Sequence, residues 1–170
     1  MTMDDQVLVI TGSGAHYART ISHQGPLAAW QTLVCEPALD ADLPSVEAIH
    51  VETADWTSHL MSVVDTADAV LLVSGVGAAE ASAQDARTLD ALLGHMRPGT
   101  VLIALTSLAI YGDSGAHPVT ELDAPSASAE FDPLGALERR VLAAADWLRT
   151  AVVRQGLVYG AKGDSLLTDA

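Results

Sequence analysis

Short apolar runs rich in Val, Leu and Ile alternate along the chain with longer segments in which Ala and Leu recur at helical spacing. This alternation is typical of a parallel sheet with helices on both faces. The apolar runs predict six strands, at residues 7–10, 32–35, 48–51, 69–73, 101–106 and 150–154. The segments between them predict four helices, at residues 15–24, 57–64, 79–96 and 134–148.

This order of elements, with a glycine turn after the first strand, predicts an α/β fold. We expect a Rossmann-like, doubly wound parallel sheet of about six strands with helices on both faces. Ligands of such folds bind at the carboxyl ends of the strands. Functional residues are therefore expected in the segments 11–18, 36, 74–77, 106–113 and 154–162.

One segment has the composition of a long loop. Residues 112–131 are rich in Pro, Ser and Asp, and a loop of that length in a compact domain is usually functional or mobile.

Composition narrows the class of protein. A chain of 170 residues that is 49% hydrophobic can build one compact core, so residues 1–170 are expected to form a single domain. Eight basic residues against 22 acidic residues give a formal net charge of -14. This charge repels phosphate backbones and anionic lipid surfaces, so neither nucleic acid nor a membrane is an expected partner.

Cysteine usage and the N-terminal sequence indicate a compartment. The single cysteine, Cys35, excludes an internal disulfide and suits a reducing environment. The acidic N-terminal segment lacks the basic and apolar regions of a signal peptide. No apolar run approaches the roughly 20 residues that a membrane helix needs. A cytoplasmic protein is therefore predicted.

The turn after the first strand is the candidate phosphate site. A glycine-rich junction between a strand and a helix lets backbone N–H groups meet a pyrophosphate, so Gly12, Ser13 and Gly14 are candidate cofactor-binding residues. The turn has only the first two glycines of G-x-G-x-x-G, and Tyr17 occupies the third position. Tyr17 is expected to weaken dinucleotide binding. The alternative is a tight turn that no longer binds a dinucleotide.

Two further segments resemble one enzyme family. Residues 106–112, with the sequence TSLAIYG, resemble the serine strand of extended short-chain dehydrogenases/reductases, the family of NAD-dependent epimerases and dehydratases. Residues 133–138, PLGALE, resemble that family's Tyr-x-x-x-Lys segment, but Leu134 stands at the tyrosine position and Glu138 at the lysine position. Against the family pattern T-G-x-x-G-x-x-G, the glycine turn is also one residue short.

The resemblance implies a catalytic role for the residues that this chain has replaced. In the family, the tyrosine moves a proton to or from a substrate hydroxyl, while the lysine lowers the pKa of that tyrosine and holds the nicotinamide ribose. Ser107 matches the serine that positions the reacting oxygen. Because Leu134 and Glu138 cannot perform the two other roles, ordinary NAD-dependent oxidoreductase activity is not expected.

The remaining candidate cofactor contacts follow the strands. Glu36, at the end of the second strand, is placed to accept hydrogen bonds from a ribose, and its charge favours NAD over NADP. Asp55 resembles the family aspartate that contacts the adenine amino group. Ser74 and Gly75 resemble the small-residue segment that lies against the cofactor. NAD is thus the implied cofactor, and no metal is expected, because the six histidines lack ligand spacing.

Three functional hypotheses remain open. The first is a degenerate epimerase/dehydratase-like domain, a pseudoenzyme that binds a dinucleotide or small-molecule ligand. The second is a cofactor-independent isomerase, dehydratase or cyclase with Ser107, Tyr111 and His117 as catalytic residues. The third is a non-catalytic partner subunit, because the C-terminal substrate lobe of the resembled family is missing. A homodimer or a dedicated protein partner would then close the crevice.

Overall fold

A parallel sheet forms the centre of the molecule. A computed structural model describes residues 6–14, 30–35, 56–74, 79–125 and 132–156. The described residues form five strands, which lie side by side in the order β2-β1-β3-β4-β5 and are all parallel. The strands are β1 (Val7–Thr11), β2 (Gln31–Cys35), β3 (Ala69–Val73), β4 (Val101–Ser107) and β5 (Arg149–Gln155).

The described residues include three α-helices that pack on this sheet. They are α1 (Trp56–Val64), α2 (Ala79–His95) and α3 (Asp132–Ala143). In the same ranges a short 3-10 helix, Leu108–Tyr111, follows β4, and another, Ala144–Asp146, follows α3. In the described ranges no helix has both the length and the apolar character to cross a membrane.

The structure confirms the predicted fold class, with five described strands where the sequence predicted six. The strand predicted at 48–51 and the helix predicted at 15–24 lie outside the described residues. The helix predicted at 134–148 in fact begins at Asp132, since a proline is tolerated in the first turn of a helix. It ends at Ala143, where the 3-10 helix takes over and tightens the chain before β5.

The core lies mainly between the sheet and the helices. Val9, Val70 and Leu72, on the central strands, have 0% of their surface exposed. They belong to one apolar cluster with helix residues such as Leu89 and Leu137. Burial on both faces explains why the central strands read as continuous apolar runs.

The order of the strands indicates where a ligand crevice would lie. β1 pairs with β2 on one side and with β3 on the other, so the chain changes direction across the sheet at β1. In doubly wound folds a ligand crevice lies at this switch point, outside the carboxyl ends of the strands. The residues that follow β1 and β3, Gly12 to Gly14 and Ser74, lie at this edge.

Candidate functional site

The glycine turn packs directly on the end of β3. Gly12 has a φ of +108°, and a Cβ atom added to it would lie 2.3 Å from the carbonyl oxygen of Val73. The N–H of Gly14 donates to that same oxygen at 3.0 Å. Only glycine fits at position 12, because both the backbone conformation and the space exclude a side chain.

A buried carboxylate lies against this turn. Asp85, on α2, is 0% exposed. Its Oδ1 accepts the backbone N–H of Ser13 at 2.7 Å, and its Oδ2 accepts the hydroxyls of Ser13 and Ser74, each at 2.7 Å. Asp85 therefore joins α2 to the turn after β1 and to the end of β3. We call Ser13, Ser74 and Asp85 the turn cluster.

Sequence reasoning did not single out Asp85. The signal was its spacing: Asp85, Leu89 and Leu92 follow one another at intervals of four and three, and both leucines are fully buried. An acid on the buried stripe of a helix needs hydrogen-bond donors, and the serines at the two strand ends supply them.

The turn cluster bears on phosphate binding. The N–H groups of Ser13 and Gly14 donate to Asp85 and to Val73, respectively, inside the protein. A pyrophosphate at this crevice would therefore depend on N–H groups further along the chain. The tight packing of Gly12 fits a cofactor turn, whereas a carboxylate beside it does not favour an anion.

A second buried carboxylate lies at the ends of β4 and β5. Glu138, on α3, is 3% exposed and forms a two-pronged ion pair with Arg154. Nη2 of Arg154 lies 2.6 Å from Oε2, and Nε lies 3.1 Å from both carboxylate oxygens. The hydroxyl of Thr106 donates to Oε1 at 2.6 Å. We call Thr106, Glu138, Arg154 and Tyr111 the ion-pair cluster.

Tyr111 joins this cluster to the following loop. The Arg154 guanidinium lies over the Tyr111 ring, 4.9 Å from its centroid, and its Nη1 donates to the Tyr111 hydroxyl. That hydroxyl donates to the carbonyl oxygen of Thr120 at 3.0 Å. Hydrogen bonding to Glu138 is the largest cause of a raised Arg154 pKa, with smaller contributions from Tyr111, so the guanidinium stays charged.

Leu134 is a buried apolar residue. It is 8% exposed and packs in a small cluster with Ile110 and Tyr111. The position that resembles the family's tyrosine is thus part of the core, and the position that resembles its lysine, Glu138, is an anion held by Arg154.

The predicted catalytic residues differ in their surroundings. Ser107 is 9% exposed, and its Oγ accepts the N–H of Ala109 at 3.1 Å, which caps the 3-10 helix. Tyr111 ends the same short helix, so Ser107 is the last residue of β4 and Tyr111 follows it by four residues. His117 lies in the exposed loop, where its N–H donates to the carbonyl oxygen of Ser114. The catalytic assignment of Ser107, Tyr111 and His117 stays a prediction.

Other predicted site residues lie outside the described part of the chain. These are Glu36, Asp55 and Gly75, together with Tyr17. Within the ranges that the structure describes, no group of three or more His, Cys, Asp or Glu side chains could hold a metal ion.

Solved structures resemble this fold, although no protein-family model and no curated protein matches the chain. UDP-glucose 4-epimerase from Brucella ovis, in complex with NAD, superposes with a TM-score of 0.67 at 16% identity. ADP-L-glycero-D-manno-heptose-6-epimerase from Helicobacter pylori gives 0.66 at 15% identity. UDP-N-acetylglucosamine 4-epimerase from Bacillus cereus gives 0.64 at 12% identity. The chain has the Rossmann-like fold of these epimerases.

The epimerase fold extends over almost all of this chain but only part of each enzyme. The three superpositions cover 94%, 98% and 92% of this chain, and 55%, 62% and 55% of the respective epimerases. The chain thus spans less than two thirds of their length. At these identities the likeness confirms the architecture that the sequence predicted.

Proposed function

We propose that this epimerase-like domain acts by binding an adenine dinucleotide, NAD rather than NADP, or a related small ligand, and does not transfer hydride. The observation that supports this most is the pairing of Glu138 with Arg154. A cation at the lysine position would hold a nicotinamide ribose and assist a tyrosine, but this position carries an anion instead.

The geometry of the ion pair adds to the argument. Arg154 supplies a positive charge to this region, but it is turned toward Glu138 on one side and Tyr111 on the other. Its charge is neutralised within the protein and is not available to a cofactor. Leu134 has no titratable group, so it offers no proton at the position that resembles the family's tyrosine. The residues at the ends of β4 and β5 therefore do not fit the nicotinamide half of a reactive cofactor, and no hydride transfer is proposed there.

A cofactor-independent reaction would use groups that are already hydrogen-bonded within the protein. The Tyr111 hydroxyl is bonded to Thr120 and Arg154, and the Ser107 oxygen accepts a backbone N–H. Both groups would have to exchange these partners before they could act on a substrate.

Calorimetric titration with NAD, NADH, NADP and NADPH tests the proposal. We expect NAD and NADH to bind in the micromolar range and the phosphorylated pair to bind more weakly. The Glu36→Ala variant should narrow this preference, because the carboxylate that repels the 2′-phosphate is removed. Glu121→Ala, in the exposed loop, is the matched control. No binding of any of the four nucleotides would contradict the dinucleotide proposal.

A second candidate is a partner subunit or a homodimer. Two apolar side chains, Val153 on β5 and Leu108 at the start of the 3-10 helix after β4, are each 48% exposed. Among the described residues β5 pairs with β4 alone, and an edge strand with exposed apolar residues favours association. Light scattering across a range of concentrations tests this candidate, with Val153→Asp as the variant expected to reduce association. A monomer at all concentrations would contradict the homodimer.

A further inference from the structure

We propose that Asp85 is a specificity-determining residue whose buried negative charge lowers the affinity of the glycine turn for diphosphate ligands about tenfold. This inference rests on the proposed dinucleotide binding and assigns a residue that controls its strength. Asp85 would act through the turn and not by touching the ligand, because its side chain is fully buried.

The hydrogen bonds of Asp85 match a carboxylate that carries its charge. Three donors converge on its two oxygens: the Ser13 N–H and the hydroxyls of Ser13 and Ser74, all at 2.7 Å. A backbone N–H can only donate, and short, charge-assisted hydrogen bonds from neutral donors can hold a buried carboxylate. In the described part of the chain, the ion pairs involve Asp90 and Glu138, not Asp85. Among the described residues, the charge of Asp85 is therefore stabilised by the dipoles of neutral donors.

The location of this charge links it to ligands. Ser13 is the central residue of the Gly12 to Gly14 turn, and its N–H points to Asp85. Doubly wound folds bind ligands outside this turn, and the phosphates approach the backbone there. A diphosphate in the crevice would thus lie close to a buried negative charge across protein of low dielectric, where screening by salt is weak.

The same contacts remove an attractive group. The Ser13 N–H would otherwise be a donor for a phosphate oxygen, but Asp85 occupies it. Repulsion of the phosphates by Asp85 and the loss of the Ser13 N–H as a donor both lower the affinity for a diphosphate. A tenfold effect corresponds to about 1.4 kcal/mol, which is within the usual range for one charge near a binding site.

The Asp85→Asn variant tests the inference by calorimetry. Asparagine keeps the size of the side chain and one acceptor oxygen for the Ser13 N–H, but it removes the charge. We expect NAD to bind Asp85→Asn about tenfold more tightly than it binds the wild type. Adenosine, which has no phosphate, should bind both proteins with affinities within twofold. Asp90→Asn removes an exposed charge from the same helix and should leave the affinity for NAD within twofold of the wild-type value.

Each outcome separates this inference from the proposed function. If the wild type binds NAD and Asp85→Asn binds it no better, the role of Asp85 is overturned while dinucleotide binding stands. If only Asp85→Asn binds NAD, the role of Asp85 is supported and the wild type is not a dinucleotide-binding protein. If neither protein binds NAD, both proposals are contradicted. Circular dichroism establishes that the variant is folded, and Asp85→Ser provides a second removal of the charge.

Discussion

Two buried carboxylates, one in each half of the crevice, are held in different ways. Asp85 is 0% exposed and Glu138 is 3% exposed, and each accepts a hydrogen bond from a Ser or Thr hydroxyl on or next to a strand. Glu138 also faces the guanidinium of Arg154, whereas the donors to Asp85 are a backbone N–H and two hydroxyls. Among the described residues, the same chemical group is therefore paired with a cation at one end of the crevice and with neutral donors at the other.

The two ways of holding a carboxylate predict different effects of substitution at the two ends of the crevice. An ion pair loses hydration when it is buried, and removing one partner leaves the other charge buried without a counter-charge. The stability of the protein is therefore sensitive to single substitutions in the pair. A carboxylate held by dipoles loses only hydrogen bonds when it is neutralised. The ion-pair cluster is expected to matter most for stability, and the turn cluster for the choice of ligand.

The largest effect is expected for Arg154→Ala. This substitution leaves Glu138 buried without its cation and also removes the contact with the Tyr111 ring, so we expect a loss of about 3–5 kcal/mol in the free energy of unfolding. Urea denaturation followed by circular dichroism measures it.

Arg149→Ala, on the exposed start of the same strand, is the control and should change stability by less than about 0.5 kcal/mol. A loss below about 1 kcal/mol for Arg154→Ala would mean that the ion pair does not stabilise the fold.

The fold was predictable because its signals are local. β3 was predicted at its observed residues, and most other described elements within one or two, since buried parallel strands are continuous apolar runs. The two clusters were less visible. The sequence placed Glu138 where the resembled family has a lysine, but the pairing of Glu138 with Arg154, 16 residues later, depends on how α3 packs beside β5. Asp85 appeared as one acid among 22, because nothing local marks the distant serines that bind it.

The packing of the glycine turn against β3 is tested by the Gly12→Ala variant. The added Cβ would lie 2.3 Å from a backbone oxygen at a residue with a φ of +108°, so steric overlap and strain should together cost about 2–4 kcal/mol of unfolding free energy. Thermal unfolding gives the first comparison and urea denaturation the magnitude.

Gly99→Ala separates the two causes, because Gly99 also has a positive φ, +86°, but has no atom within 4 Å of an added Cβ. The free energy of unfolding of Gly99→Ala should fall by about 1 kcal/mol, the cost of backbone strain alone. Equal losses for the two variants would show that the contact with Val73 is not restrictive.

The two carboxylates can be compared directly by making matched amide variants. Glu138→Gln leaves Arg154 without this anionic partner, and we expect the free energy of unfolding to fall by about 2–3 kcal/mol. Asp85→Asn keeps neutral hydrogen bonds and should lose only about 1 kcal/mol. Urea denaturation of both variants measures the difference. The reverse order would show that charge at the turn cluster contributes more to stability than charge at the ion-pair cluster.

The smallest effect concerns the link between the ion-pair cluster and the loop. Tyr111→Phe keeps the ring against Arg154 but removes the hydroxyl that donates to the Thr120 carbonyl oxygen, so we expect a loss of about 1 kcal/mol. Because this hydroxyl ties the loop to the sheet, residues 112–125 should also be cleaved faster by a protease under native conditions. Asp113→Ala is the control, since Asp113 accepts the N–H of Gly115 within the loop itself. Faster cleavage in the control but not in Tyr111→Phe would show that contacts inside the loop, and not the tyrosine, hold it in place.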